Sequence, residues 1–216
     1  RESAFLFNNL ILLVSCFAVL WGTMFPVLSE WVKGTKITVG PPFFNNVNIP
    51  IGLFLIFLTG VGPLFAWRKT SLESLRKAFF WPVIFAAVTA VALPLAGMRN
   101  LYAVMSFTLC VFVTVSIVEE FYKATKVRAK NTGENFLVAV TNLTLKNKRR
   151  YGGYIVHFAM VLIFVGLTGN AFNRETSQQM TAGEELKIGS YTLRMTDYKE
   201  GDTPNYQYGV VTLQAF

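Results

Sequence analysis

Five long apolar blocks leave this chain few ways to fold. They cover roughly residues 5–28, 48–67, 79–97, 100–121 and 151–171. A helix that crosses a bilayer needs about 20 mostly apolar residues. In lipid only helices and closed barrels satisfy every backbone polar group. Composition agrees, with 53% of residues hydrophobic and 15% charged, whereas a soluble domain carries about a quarter charged. The expected fold is an all-α polytopic membrane protein with about five transmembrane helices over 1–172. The start of a β-rich extracytoplasmic domain is expected over 173–216.

Charge between the blocks predicts orientation. Arg68, Lys69, Arg76 and Lys77 occupy the 68–78 connection, and eight Lys or Arg against Glu134 occupy the 122–150 connection. Lys and Arg concentrate in cytoplasmic loops, so both connections are expected inside, giving an N-in, C-out chain. Trp67 and Trp81 then fall at the inner interface and Trp31 at the outer, as an aromatic belt requires. The net charge of +8 is explained by these two loops. No nucleic-acid partner is expected, since no basic stripe interleaved with aromatics and no RNA- or DNA-binding signature occurs. The partner of the apolar surface is the lipid bilayer.

Two segments are not spans. Residues 134–145, ENFLVAVTNLTL, are too short to cross and read either as an interfacial helix or as a cytoplasmic linker helix. The tail from Asn173 is polar, and Leu186, Ile188, Tyr191, Leu193 and Met195 follow a period of two around Gly189–Ser190, the pattern of a hairpin. Tyr206, Tyr208 and Val210 open another alternating run. Two or three such strands cannot build an independent core. The chain begins at Arg1 and stops at Phe216 within a strand, so it reads as a piece of something longer.

His157 is the only histidine, and it lies within the last apolar block, RRYGGYIVHFAMVLIFVGLTGNAF. An ionisable side chain inside a span is costly and usually has a partner and a task. Neutral imidazole is a common metal ligand and an axial ligand of haem iron. The competing reading is a histidine hydrogen-bonded to a neighbouring helix. Helical spacing sets Arg150, Gly153, His157, Met160 or Val161, and Phe164 on one face. Gly153, one turn before the histidine, would leave room for a flat macrocycle, and Phe164 could pack on its edge. Arg150 lies about 10 Å away along the axis, within reach of a propionate, although positive-inside placement alone also accounts for it.

Little other chemistry is present. There is no second histidine for a triad, no P-loop, no dinucleotide-binding glycine motif and no zinc spacing. Cys16 and Cys110 lie in apolar blocks and form no CxxCH. Glu119 and Glu120 close the fourth block and serve either a proton or quinol role or a solvated interface. In the outer loop, Gly40, Pro41 and Pro42 make a rigid turn, since each proline locks φ. Phe43 and Phe44 follow directly and offer an apolar surface to a haem edge or partner helix, or else dip into the bilayer interface.

The strings WGTMFPVLSEWVKGTKITVGPPFFN (21–45), GVGPLFAWRK (60–69) and RRYGGYIVHFAMVLIFVG (149–166) resemble the CcmF family of cytochrome c-type biogenesis proteins. The resemblance runs over the whole chain and covers a third to two-fifths of a full-length member. It implies a component of a cytochrome c haem lyase in the bacterial inner membrane. Such a protein receives haem from a periplasmic haem chaperone and helps attach it to apocytochrome c. It also implies a b-type haem held between two membrane histidines, with His157 matching the second. The first membrane histidine, the two periplasmic histidines and the tryptophan-rich segment of the family are absent from these 216 residues. They are expected upstream or in another subunit of the maturation complex. Two further readings stand beside this one: a non-catalytic membrane scaffold with a structural histidine, and a quinol-linked electron-transfer subunit.

Overall fold

The long helix α4, Leu101–Thr132, organises the bundle. The computed structural model describes residues 2–62, 72–173 and 175–216. Within them the chain forms two compact units, 1–168 and 169–216. The first holds α1 (Glu2–Lys33), α2 (Pro41–Val61), α3 (Leu72–Leu95), α4, α5 (Phe136–Lys146) and α6 (Lys148–Thr168). Five helices among the described residues are long and apolar enough to cross a membrane, and α5 is too short. The end of the second apolar block, with Trp67, Arg68 and Lys69, lies outside the described residues.

The sequence of α4 explains its central place. Ala103, Ser106, Cys110, Val113 and Ile117 recur at alternating intervals of three and four and are all buried, so they form one face of the helix. Most are small, which lets neighbouring backbones approach, the usual means of helix association in lipid. The core gathers Phe112, Val113 and Ile117 of α4 with Ile56 of α2, Leu143 of α5, and Tyr151, Tyr154 and Val161 of α6. Asn100 caps the helix by accepting a hydrogen bond from the Ala103 amide, and Gly133 ends it at φ 70°, a left-handed conformation that favours glycine.

The outer connection differs from the sequence expectation. Residues 29–47 read as a loop with a rigid Gly-Pro-Pro turn, yet α1 continues to Lys33 and α2 begins at Pro41. The physical reason is that Gly40 is the N-cap and proline occupies the first helical positions, where its missing N–H costs nothing and its fixed φ suits a helix. Phe43 and Phe44 therefore belong to the first turn of α2. The span boundaries shift in the same sense elsewhere. Helix α4 runs eleven residues beyond the apolar block that ends at 121, carrying its basic residues as continuous helix.

The second unit opens with a 3-10 turn, Gly169–Phe172, and then forms a three-stranded antiparallel sheet. Strand β1 (Glu185–Ile188) pairs with β2 (Tyr191–Asp202), and β2 with β3 (Gln207–Ala215). The β1–β2 turn is Gly189–Ser190, with Gly189 at φ 62°, as a two-residue hairpin demands at its first central position. Ile188 pairs with Tyr191 across it. A bulge falls between Met195 and Asp197, and Met195 is the buried side chain of the sheet. All nine residues of β3 are exposed.

Candidate functional site

Helix α6 carries His157, and its two faces differ. Tyr151, Tyr154 and Val161 are buried against the bundle, while Ile155 to Met160, His157 included, are exposed. A Cβ added at Gly152 or Gly153 would meet nothing within 4 Å. The imidazole thus stands on an open face with glycine one turn below it. Among the described residues nothing hydrogen-bonds to it. The competing reading, a histidine hydrogen-bonded to a neighbouring helix, finds no such bond among the described residues.

The proposed stripe along α6 divides in the structure. Gly153, His157 and Met160 share the open side, whereas Val161 is buried. Phe164 turns toward α2, where its Cε1 and Cζ lie 3.3 and 3.4 Å from the position of a Cβ on Gly52. Arg150 is engaged with the fourth helix. Its Nη2 donates to Glu120 Oε2 at 2.9 Å, and its guanidinium lies 5.7 and 6.0 Å from the ring centres of Tyr151 and Tyr154. Phe121 adds a third ring, 5.1 Å from Tyr151. This cluster holds the base of α6 on α4. Sequence reasoning missed the Glu120–Arg150 pair, though both residues sit at the charged end of an apolar block, which sets them at one level.

Higher on the same contact, Ser106 and Thr168 share a hydrogen bond of 2.6 Å, and Cys110 Sγ lies 3.9 Å from the Val161 carbonyl. His157 is therefore carried on a helix fastened to α4 at both ends. Of the two glutamates that close the fourth apolar block, Glu119 pairs with Lys123 at 2.5 Å, and its Oε2 is buried without a hydrogen-bond partner among the described residues.

The outer turn was expected to offer Phe43 and Phe44 to a haem edge or partner helix, or to the bilayer interface. Both rings also reach α1: a Cβ on Gly22 would lie 2.8 Å from Cε1 of each. Phe43 keeps 37% of its surface exposed, and Phe44 is half-buried. Nearby, Ser15 of α1 donates to Asn48 Oδ1 of α2 at 2.9 Å. Gly40, Pro41 and Pro42 position the two rings by starting the helix.

The donor set can be tested against a haem. No group of three or more His, Cys, Asp or Glu that could hold a bare metal ion occurs among the described residues. An axial haem bond asks for one imidazole with space for the porphyrin beside it. His157 above the open backbone of Gly152 and Gly153 fits that demand. Arg150 fits a propionate less well, because it already serves Glu120.

The fold defines a multi-pass helical membrane protein with a small β unit. Within that class the chain is similar, over nearly its whole length, to the CcmF and CycK cytochrome c-type biogenesis proteins. It is 31% identical over 215 residues to CycK of Rhizobium meliloti, a match covering 95% of this chain and 30% of that protein. It is 26% identical over 209 residues to CcmF of Haemophilus influenzae, covering 95% of this chain and 31% of that protein. For CcmF of Escherichia coli K12 the identity is 24% over 214 residues, covering 99% of this chain and 31% of that protein. The chain thus spans about three-tenths of the length of the curated relatives it matches. No family model and no solved structure matches it.

Proposed function

We propose that the chain serves cytochrome c biogenesis in the bacterial inner membrane as part of a haem lyase, with His157 an axial ligand of a b-type haem. The observation that carries this reading is the open imidazole. A polar ring on the exposed face of a span, with no hydrogen bond among the described residues, needs a partner from outside them. The similarity to CcmF and CycK names the process in which that partner is found.

The second axial ligand comes from outside this chain, which has a single histidine. When bound, the haem supplies one-electron chemistry whose potential its ligands and surroundings tune. The chain's own residues hold and orient. The Glu120–Arg150 pair and the Ser106–Thr168 bond keep α6 in register on α4, so the imidazole is presented at a constant height. Gly152 and Gly153 keep the backbone bare beside it. His157 lies about 10 Å into its helix from the charged end. With that end cytoplasmic, His157 would hold a haem in the inner half of the membrane, a position suited to electron supply. Haem destined for cytochrome c arrives on the outer face from a periplasmic haem chaperone and is passed to apocytochrome c there.

His157→Ala tests the ligand role, because alanine suits a span and leaves the helix inserted. The expected result is loss or strong reduction of b-haem absorbance in the purified complex that supplies the second ligand, at unchanged protein level. Full haem content in the alanine variant would return His157 to a structural role.

A further inference from the structure

We propose that the cleft between α4, α5 and α6 binds the phosphate of an anionic phospholipid headgroup. The cleft is about 430 Å³ and is lined by Glu120, Lys123, Ala124, Val127, Arg128, Leu143 and Arg150. Lys123, Arg128 and Arg150 line it with Glu120, each cation also paired with one carboxylate, Glu119, Glu134 and Glu120 in turn, and Ala124, Val127 and Leu143 complete the lining.

Its depth in the membrane suits a headgroup. Residues 101–118 of α4 carry no charge, and Glu119 is the first ionisable acid or base after them. In α6 the charges stop at Arg150 and the apolar run begins at Tyr151. The cleft therefore lies where both helices leave the hydrocarbon. Basic pockets between transmembrane helices at that level are a recurrent means of binding acidic headgroups. Phe136, Leu137, Val138 and Leu145 of the neighbouring α5 are all exposed, as acyl-chain contacts would be.

The cations are oriented in advance. Arg128 Nε and Nη2 donate to Glu134 at 2.9 and 3.0 Å, and Asn142 donates to the same carboxylate at 3.1 Å. The hydrogen bonds from Arg128 hold the Glu134 carboxyl below the usual carboxylate range, so the pair stays charged. The side chain of Arg128 is only 16% exposed, and the Glu134 pair uses two of its five N–H donors. Lys123 spends one donor on Glu119, and Arg150 one on Glu120, and an ammonium and a guanidinium each have more to give. A second cleft, between α3 and α4, shares Lys123 and adds Arg76 and Lys77 together with Glu73 and Glu119. Two carboxylates against its three cations, where the first cleft has one, make it the poorer anion site.

Native mass spectrometry of the detergent-solubilised protein titrated with phosphatidylglycerol or phosphatidylcholine tests the site. Phosphatidylglycerol should be retained in preference, and Lys123→Gln should reduce its retention about fivefold, the usual effect of one cation near an acidic headgroup. Val127→Trp, at a position 62% exposed, should fill the cleft without disturbing the core and reduce retention likewise. Equal retention of the two lipids would overturn the proposal, as would undiminished phosphatidylglycerol in both variants. Full displacement by millimolar inorganic phosphate would overturn the lipid as ligand and leave a site for a free anion.

Discussion

At the scale of single residues, Phe43 and Phe44 share one contact and differ in exposure. Both rings press on Gly22, and Phe44 is the more enclosed. A helix of which only a small share is buried depends on such contacts, and α1 is of that kind. Phe44→Ser should therefore lower protein accumulation by weakening the α1–α2 contact, at a cost on the order of 1–3 kcal/mol for a partly buried aromatic. Phe43→Ser should leave accumulation unchanged and lower cytochrome c yield, if its exposed edge meets haem or a partner. Immunoblots and haem-stained gels of the two variants separate these outcomes. Normal cytochrome yield with Phe43→Ser would restrict the pair to helix packing. His157 belongs to the same scale. Its presence inside an apolar block was legible in the sequence because an ionisable group there stands out. That nothing among the described residues hydrogen-bonds to it was not, because that depends on which way α6 faces.

At the scale of elements, the α2–α4 contact turns on one glycine. A Cβ at Gly60 would lie 2.6 Å from Phe112 Cε1 and 3.0 Å from Val113 Cγ2. Phe112 is 6% exposed and has Phe57 and Phe79 around it, with ring centres 6.4 and 6.2 Å away, so its ring has nowhere to move. Gly60→Ala should destabilise the bundle by about 1–3 kcal/mol, the range for overpacking a filled core. A thermal-shift measurement in detergent reads the loss. An unchanged midpoint would mean the helices slide apart at no cost. Nothing in the sequence distinguishes Gly60 from the other glycines of the chain. The heptad-like spacing on α4 was there to be read, but the residue opposite it on α2 depends on how two helices cross. The β hairpin is the contrary case, since Gly189–Ser190 between alternating runs defines its own register locally.

At the scale of the whole molecule, the positive-inside rule predicts an N-in, C-out chain with five crossings. A reporter fused after Gly133, where α4 ends, should be cytoplasmic, and one fused after Gly183 extracytoplasmic. Opposite activities of a phosphatase and a fluorescent reporter at the two sites check this. The same side at both would remove one crossing. The apolar surfaces left exposed on α1, α3 and α6 are large. In lipid such surfaces cost nothing, so burial within the chain is a poor guide to which helices matter.

What the sequence determined by itself follows from solvent and from local geometry. Block length against bilayer thickness produced the five spans. Alternation around Gly189–Ser190 produced the first hairpin, and the isolated histidine marked the helix worth attention. What only the tertiary structure decided is pairing. It set Arg150 on Glu120 rather than free, Phe164 against Gly52 rather than beside His157, and the Gly-Pro-Pro turn as the start of a helix whose aromatics reach back to Gly22. The reason is physical. In a bilayer a spanning helix is apolar all round, so hydrophobicity no longer marks the inward face. Contact is chosen instead by small residues, hydrogen bonds and charges at the helix ends, and these find their partners only once the helices are packed.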